Sequence, residues 1–353
     1  MKRRLALVLM MTAAALAAGC TGQATRSVRG PAEDKDAPYA ALVEALGSPQ
    51  PQLQALAAEA FLAADRRPPL EDVEPLADVP DPRVRTTALA LLATTRRPQL
   101  TDLFRRKERD ADPAVRLAAS FGLAMTGDAS RVTDLRDALA SPEPTLRRTA
   151  AWLLGLMGNP SAVGMLRVKL DDPDAVTVLR VAEAMHRLGV GEGVERVRTL
   201  TGHDRHLVRA FATRMLGRMG TTADIPRLEK LCQSRYLDVK YAAIAALARR
   251  GDLKRIGMLL DLAEAPDPQS RVLAITELGE TGYTPAIERL APFLDSKTPL
   301  ERTAAAAAIV RLRSAQRSWR DQILMEPPQT PPPAAPVTPI PGTVAPGPAP
   351  RQR

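Results

Sequence analysis

The chain has little of the chemistry on which most enzymes and metal proteins depend. Its 353 residues include only two cysteines, three histidines and 3% aromatic residues. The histidines are His186, His203 and His206, and the H-x-x-H spacing of the last two lacks a carboxylate or further ligand at a spacing usable for zinc. There is no G-x-S-x-G, no phosphate-binding loop and no paired-cysteine motif. We therefore expect no metal site, no cofactor and no catalytic residue.

Positive charge is present only in moderate excess. The net charge is +9, and Lys2, Arg3 and Arg4 contribute three of these charges at the very start of the chain. The chain also carries 40 acidic residues, and many of its arginines recur at one fixed position of a repeat. A basic α-solenoid is one form that a nucleic-acid-binding protein takes, but this moderate charge favours other partners, and we expect no nucleic acid.

The chain is dominated by a repeat of 31 residues. Its register residues are Leu53, Val84, Val115, Leu146, Thr177, Val208, Val239, Ser270 and Glu301. Four positions later stands a small residue in each copy: Ala57, Ala88, Ala119, Ala150, Val181, Ala212, Ala243, Ala274 and Ala305. Eight positions later stands a large apolar one: Phe61, Leu92, Leu123, Leu154, Met185, Leu216, Leu247, Leu278 and Ile309. These positions share one face of an α-helix, which we call the register helix, and the small residue allows a neighbouring helix to approach closely.

A second helix accompanies each register helix. Eleven residues before each register residue the chain has an apolar residue: Leu42, Val73, Phe104, Leu135, Leu166, Val197, Leu228, Leu259 and Leu290. Glycines stand twelve positions after six register residues, where the end of a helix favours a residue that tolerates positive φ: Gly127, Gly158, Gly189, Gly220, Gly251 and Gly282. Such a period indicates antiparallel helix pairs that stack into an all-α solenoid, because one pair cannot bury its apolar faces alone.

The pattern D-P-x-V-R-x-x-A-x-x-x-L, present as "DPRVRTTALALL" and "DPAVRLAASFGL", resembles the short HEAT-like repeats of phycobilisome-lyase proteins. The resemblance extends from about residue 38 to about residue 324 and implies a right-handed α-solenoid of about nine helix pairs. It also implies that register helices line the concave surface. Most such solenoids bind other proteins and share no common chemistry. Some HEAT-like enzymes bind metal through His-Glu pairs, which this chain lacks, so that a lyase-like or accessory enzyme activity is the weakest alternative.

Acidic and basic residues also recur in step with the repeat. Asp81, Asp112, Glu143, Asp174 and Asp267 stand three positions before the register residue, where a carboxylate can cap the first N–H groups of a helix. A basic residue follows the register residue in seven copies: Arg85, Arg116, Arg147, Arg209, Lys240, Arg271 and Arg302. The family resemblance implies that these side chains bridge to an acid of their own or the adjacent repeat, which is a structural role.

Both ends of the chain differ from the repeats. Residues 1–19 resemble a bacterial lipoprotein signal, with a basic start, the apolar run "LALVLMMTAAALAA" and the sequence "AAGC" before the cleavage site. We expect lipidation at Cys20, a flexible tether over residues 20–37 and, with Thr21 after the cysteine, the outer membrane facing the periplasm. Acylated Cys20 leaves only Cys232, which we expect to be buried. Residues 38–325 are the predicted solenoid with a C-terminal capping helix closed by Trp319, and residues 326–353 a disordered proline-rich tail.

A partner-binding surface is predicted on the side of the register helices that faces away from the core. Positions 2, 6 and 10 after the register residue point there, and in the middle repeats they carry large and basic side chains. The candidate residues are Leu117, Phe121, Arg148, Trp152, Leu179, Arg187, Arg214 and Arg218. Aromatic residues and arginines dominate binding energy at protein interfaces. The alternative is that Phe121 and Trp152 pack between neighbouring register helices because the repeats curve tightly.

The sequence thus predicts a monomeric, non-enzymatic scaffold, lipid-anchored in the bacterial cell envelope, that holds a protein partner on the concave face of the solenoid. A second hypothesis is a structural spacer, in which the proline-rich tail contacts the cell wall or another polymer.

Overall fold

The computed structural model describes residues 36–63 and 67–325, with side chains described as far as residue 315. This part of the chain contains eighteen α-helices and no strand. The first helices of the nine pairs are α1 (Ala37–Leu46), α3 (Leu70–Val73), α5 (Thr101–Lys107), α7 (Val132–Leu139), α9 (Val163–Arg167), α11 (Val194–Leu200), α13 (Ile225–Leu231), α15 (Leu253–Ala263) and α17 (Ala286–Leu290). The register helices are α2 (Pro51–Leu62), α4 (Pro82–Thr94), α6 (Pro113–Met125), α8 (Pro144–Met157), α10 (Ala175–Arg187), α12 (His206–Met219), α14 (Leu237–Ala248), α16 (Pro268–Leu278) and α18 (Pro299–Met325).

The described residues up to 316 form one compact unit, and the described residues from 317 onwards belong to a second unit. Of the second unit the structure describes only the end of α18, and Trp319 lies beyond the described side chains. The predicted signal, Cys20, most of the predicted tether and the proline-rich tail lie outside the described residues. No helix in the described ranges has the length and hydrophobicity needed to cross a membrane.

The predicted core columns are confirmed in every repeat. All nine residues four positions after the register residue have 0% exposure, and the nine large apolar residues four positions further on are no more than 4% exposed. The column on the first helices is at most 1% exposed. The core is therefore a continuous layer between the two rows of helices, and Cys232, on the first-helix side, is buried in it as expected.

The predicted helix caps are largely confirmed. The carboxylates of Asp81, Asp112, Asp174 and Asp267 accept hydrogen bonds from backbone N–H groups of the helices that follow them, whereas Glu143 makes no such bond. Five of the six repeat glycines have positive φ, and the exception, Gly220, is extended. At Gly220 an added Cβ would lie 2.6 Å from the carbonyl oxygen of Leu216, so close packing requires glycine there.

The arginines that follow the register residue hold successive repeats together. Arg147 donates through Nε and Nη2 to Asp172 of the next repeat, at 2.8 Å for each bond. Its Nη1 donates to the carbonyl oxygens of Ser141 and Pro142, in the turn before its own helix. Arg85 makes the same set of contacts with the next repeat through Asp110. The predicted bridge to an acid of the adjacent repeat is found for Arg85, Arg147 and Arg271, whereas Arg116 and Arg209 donate to backbone carbonyl oxygens of the turn before their own helix. For Arg85 and Arg147 the acceptor stands two residues before the helix-capping acid of the next repeat.

Successive register helices are not equally spaced, because glycine brings some of them together in pairs. An added Cβ at Gly155 in α8 would lie 2.9 Å from the Cα of Ala184 in α10. Gly217 meets Ala246 in the same way, and Gly279 meets Ala308. The three glycines stand two repeats apart from one another. The structural period of this part of the solenoid is therefore two repeats, which the single-repeat pattern does not reveal.

Candidate binding cavity

The register helices enclose a cavity of about 360 Å³, which we call the inner cavity. Side chains from α2, α4, α8, α10, α12, α16 and α18 line it. Most of these side chains stand 2, 3, 6 or 10 positions after the register residue, so the face predicted to point away from the core is the face that lines the cavity. A volume of this size lies within the range of protein pockets that hold small ligands or side chains of a partner.

The first and ninth repeats meet, which closes the inner cavity on the side where an open solenoid would have a gap. Helix α1 contacts the turn Ala291–Asp295. Arg302, near the start of α18, donates to a carboxylate oxygen of Glu44 in α1 at 3.1 Å. The glutamate side chain is 68% exposed, so this ion pair contributes at most about 1 kcal/mol. Eight repeats thus complete about one turn, and the register helices surround a cavity that is partly open to solvent.

Ion pairs cross the inner surface from α12 to α16 and cover the helix between them. Arg214 Nε donates to Glu277 at 2.5 Å, and Arg218 donates to Glu280 at 2.9 Å from Nε and 2.6 Å from Nη2. Helix α14 presents only small side chains at this point, including Ala245, which is 2% exposed. The alanines of α14 are therefore buried beneath the bridging side chains and do not form an exposed surface.

Glu183 is the centre of a second charged cluster. Its side chain accepts a hydrogen bond from Arg180 at 2.8 Å, and its carboxylate lies 3.4 Å from Arg187 and 3.6 Å from Arg218. Burial favours the neutral acid, but the three guanidinium groups outweigh it and lower the pKa of Glu183 to about 2. Glu183 is therefore ionised at neutral pH and neutralises part of the positive charge around it.

Glu59 of α2 is the one acid lining the cavity whose pKa is shifted upwards. Burial raises its pKa, and Glu183 across the cavity adds to that effect, whereas Arg180 and Arg311 oppose it. By contrast, Arg218 and Arg311 lower the pKa of Glu280 to about 2 in spite of its burial. Glu183 and Glu280 each form an ion pair with an arginine of the cavity, whereas Glu59 forms none among the described residues.

The structure divides the eight predicted partner-binding residues into two groups. Five of them line the inner cavity: Arg148, Trp152, Arg187, Arg214 and Arg218. Trp152 is half-buried and presents part of its ring to the cavity. Arg148 is held by two bonds to Asp174, which leaves little of its guanidinium for another partner. The tryptophan and the arginines are therefore brought together as predicted, although most of the arginines already pair with acids.

The prediction that Leu117, Phe121 and Leu179 are exposed is wrong. Phe121 and Leu179 have 0% exposure, and Leu117 has 6%. Helices α4 and α8 contact each other across α6, which encloses Phe121 between them. Leu179 is enclosed between α8 and α12 on either side of α10. The alternative of packing between register helices therefore holds for Phe121, whereas Trp152 is half-buried, packs in part against the core and also lines the cavity.

Several residues that line the cavity were not predicted from the sequence. Arg180 and Phe211 stand three positions after the register residue, on the helix turn next to the predicted stripe, and the Arg180 guanidinium lies 5.1 Å from the centre of the Phe211 ring. Glu280 and Arg311 stand ten positions after it, in repeats outside the middle of the chain. A search for complementary charges two repeats apart would have found the pair of Arg218 and Glu280.

The histidines form no metal site in the described chain, where no group of three or more potential ligands comes together. His206 Nδ1 lies 2.8 Å from Asp238 and the ring stacks on Tyr236, with 4.5 Å between ring centres. This contact joins the starts of α12 and α14, so His206 has a structural role in the packing of these two helices.

Residues 98–185 and 165–248 match a family model for HEAT repeats. Among curated proteins, none matches the chain. The solved complex of CpcE and CpcF of phycocyanin lyase from Nostoc sp. PCC7120 is 20% identical, with 62% of this chain and 94% of that chain covered and a TM-score of 0.45. YibA of Escherichia coli is 15% identical, covering 82% and 99%, with a TM-score of 0.38. Human deoxyhypusine hydroxylase in complex with glycerol is 17% identical, covering 69% and 96%, with a TM-score of 0.30. The family match and the stacked helix pairs together establish an all-α solenoid that contains HEAT-like repeats.

Proposed function

We propose that this protein is a non-enzymatic binding scaffold, anchored by a lipid on Cys20 in the bacterial cell envelope, that holds a segment of a protein partner in the inner cavity. The observation that carries the proposal is the cavity itself. A half-buried tryptophan, Trp152, faces it beside apolar side chains from α10, α12 and α16 and a set of arginines. Partly buried aromatic residues surrounded by arginines are frequent energetic anchors of protein interfaces.

The shape of the cavity restricts how a partner can bind. Because the first and ninth repeats meet, a folded domain cannot lie along the inner surface as it would in an open solenoid. An inserted loop or a chain end can enter, since an extended segment needs little width. The proposal therefore concerns a segment of the partner and not a globular surface.

Site-specific photo-crosslinking tests the proposal. A photoreactive phenylalanine analogue in place of Thr149, which lines the cavity, should capture one defined partner in living cells. The matched control places the same analogue at Val168, which is 73% exposed and does not line the cavity. Adding Trp152→Ala to the Thr149 protein should remove the crosslinked product while the protein remains folded by circular dichroism.

Two outcomes would contradict the scaffold. One is capture of the same products from both positions, which would mean that the cavity has no selectivity. The other is loss of partner association only when residues 326–353 are deleted, which would favour a spacer that acts through its proline-rich tail.

A further inference from the structure

We propose that the inner cavity selects an acidic segment, in which at least two carboxylates flank an apolar side chain. The inference rests on the proposed function and names the chemistry of the partner segment. It follows from the charges that the cavity leaves unneutralised and from the position of its apolar wall.

The charges that line the cavity do not cancel. Among the described residues, eight arginines line it and three glutamates, Glu59, Glu183 and Glu280. Three of the arginines pair with acids outside the lining, Arg83 with Asp81, Arg148 with Asp174 and Arg214 with Glu277, and these can be set aside. The remaining five arginines face three glutamates, which leaves an excess of two positive charges among the described lining residues. A segment with two carboxylates restores neutrality.

Two arginines are positioned to bind these carboxylates. Arg205, just before α12, is exposed, and its side chain has no hydrogen bond or ion pair within the described chain. The Arg187 side chain, at the end of α10, is 39% exposed, and its one ion pair within the described chain is the 3.4 Å contact with Glu183. A planar guanidinium that is not held by another acid can bind a carboxylate through two parallel hydrogen bonds. Arg205 lies outside the ion pairs of the cavity, and Arg187 belongs to the Glu183 cluster only through its 3.4 Å contact.

The apolar part of the cavity lies on the same helices. Leu207 and Phe211 of α12 and Val176 of α10 line it together with Trp152 of α8. Arg180 covers one face of the Phe211 ring, which leaves Trp152 as the only partly exposed aromatic side chain among the lining residues that the structure describes. A branched aliphatic side chain placed between two carboxylates would contact this wall while the flanking charges meet the arginines. The combination favours an acidic peptide over a free inorganic anion, which has no group to fill the apolar side.

The test measures binding of a fluorescein-labelled peptide of alternating glutamate and leucine to the purified full-length protein in detergent, by fluorescence anisotropy. Peptides with glutamine or lysine in place of glutamate are the matched probes. The double variant Arg187→Gln with Arg205→Gln should raise the Kd of the glutamate peptide by about tenfold or more, since each charge-assisted bond is a strong one. The control variant, Arg105→Gln with Arg136→Gln, removes two exposed arginines outside the cavity and should leave the Kd unchanged.

A second readout keeps the inference testable if anisotropy detects binding elsewhere on the protein. The chain has two tryptophans, so Trp319→Phe leaves Trp152 as the only one. Its emission should change on adding the glutamate peptide and not on adding the lysine peptide. If an oligonucleotide displaces the labelled peptide as well as the unlabelled glutamate peptide does, the cavity does not select carboxylates. The inference is also wrong if the cavity double variant and the control double variant lose affinity for the glutamate peptide equally.

The inference and the proposed function can fail separately. If the analogue at position 149 captures a partner whose crosslinked segment carries no acidic residue, the proposed binding function is supported but the selection of an acidic segment is wrong. If no partner is captured from inside the cavity, the proposed function itself is wrong.

Discussion

The pairing of register helices through glycine gives the sharpest prediction for stability. An ideal Cβ on Gly155 would lie 2.9 Å from both the Cα and the Cβ of Ala184 in the facing helix. Carbon atoms in van der Waals contact are separated by about 3.5 to 4.0 Å, so Gly155→Ala must push α8 and α10 apart. Because one of the two contacts is with backbone, rotation of a side chain cannot relieve the clash.

The expected magnitude is the difference between two opposing effects. Overpacking of a tight contact costs about 1 to 3 kcal/mol. Alanine regains about 0.5 to 1 kcal/mol of helix propensity relative to glycine. The net loss is about 0 to 2.5 kcal/mol in the free energy of unfolding, which corresponds to a fall in Tm of up to about 5 °C for a chain of this size.

Gly257→Ala provides the matched control. Gly257 lies inside α15, and no heavy atom stands within 4 Å of the position its Cβ would take. Here only the propensity effect remains, so the same substitution should raise the Tm by about 1 to 3 °C. The measurement is thermal unfolding followed by circular dichroism. If Gly155→Ala raises the Tm as Gly257→Ala does, the close pairing of α8 and α10 is refuted.

Three further predictions concern ion pairs, pH and the anchor. Arg147→Met should cost about 3 to 5 kcal/mol because it strands a buried carboxylate, whereas Arg105→Met, at an exposed pair, should cost less than about 1 kcal/mol in urea unfolding. The lowered pKa of Glu183 and of Glu280, about 2 in each case, implies stability that is complete above about pH 5 and is lost as the pH falls towards 2. Glu183→Gln should therefore reduce the fall in Tm between about pH 5 and pH 2. If the dependence of Tm on pH is unchanged, the ionised Glu183 cluster does not stabilise the fold. Cys20→Ser should release the protein from membranes or trap its precursor, and fatty-acid labelling that persists in this variant would contradict lipidation at that residue.

Much of the fold could be predicted because helix geometry repeats within a few residues. Ala150 and Leu154 lie on one face of their helix by its period alone, and both have 0% exposure. The same reasoning selected the face that lines the inner cavity. It failed at Phe121, because the period says which way a side chain points but not whether a neighbouring helix covers it.

The candidate site depended on contacts that no local pattern encodes. Trp152 and Phe121 stand at the same position of adjacent repeats, yet one lines the cavity and the other is enclosed. Phe121 lies on α6, which is covered by α4 and α8, whereas the helix of Trp152 is held close to α10 at Gly155. Glycine at this position carries no apolar signal, so a search for hydrophobic periodicity passes over it.

The sequence by itself determined that this chain folds into helix pairs, which face of each helix is buried and where each helix begins, because these follow from interactions within a single repeat. Only the tertiary structure decided how far the solenoid turns. Its curvature is the sum of small rotations between successive repeats, each set by the volumes of side chains that meet across a helix interface. That sum brings Glu44 to Arg302, 258 residues away, and Arg218 to Glu280, so that the register helices surround a positively charged cavity.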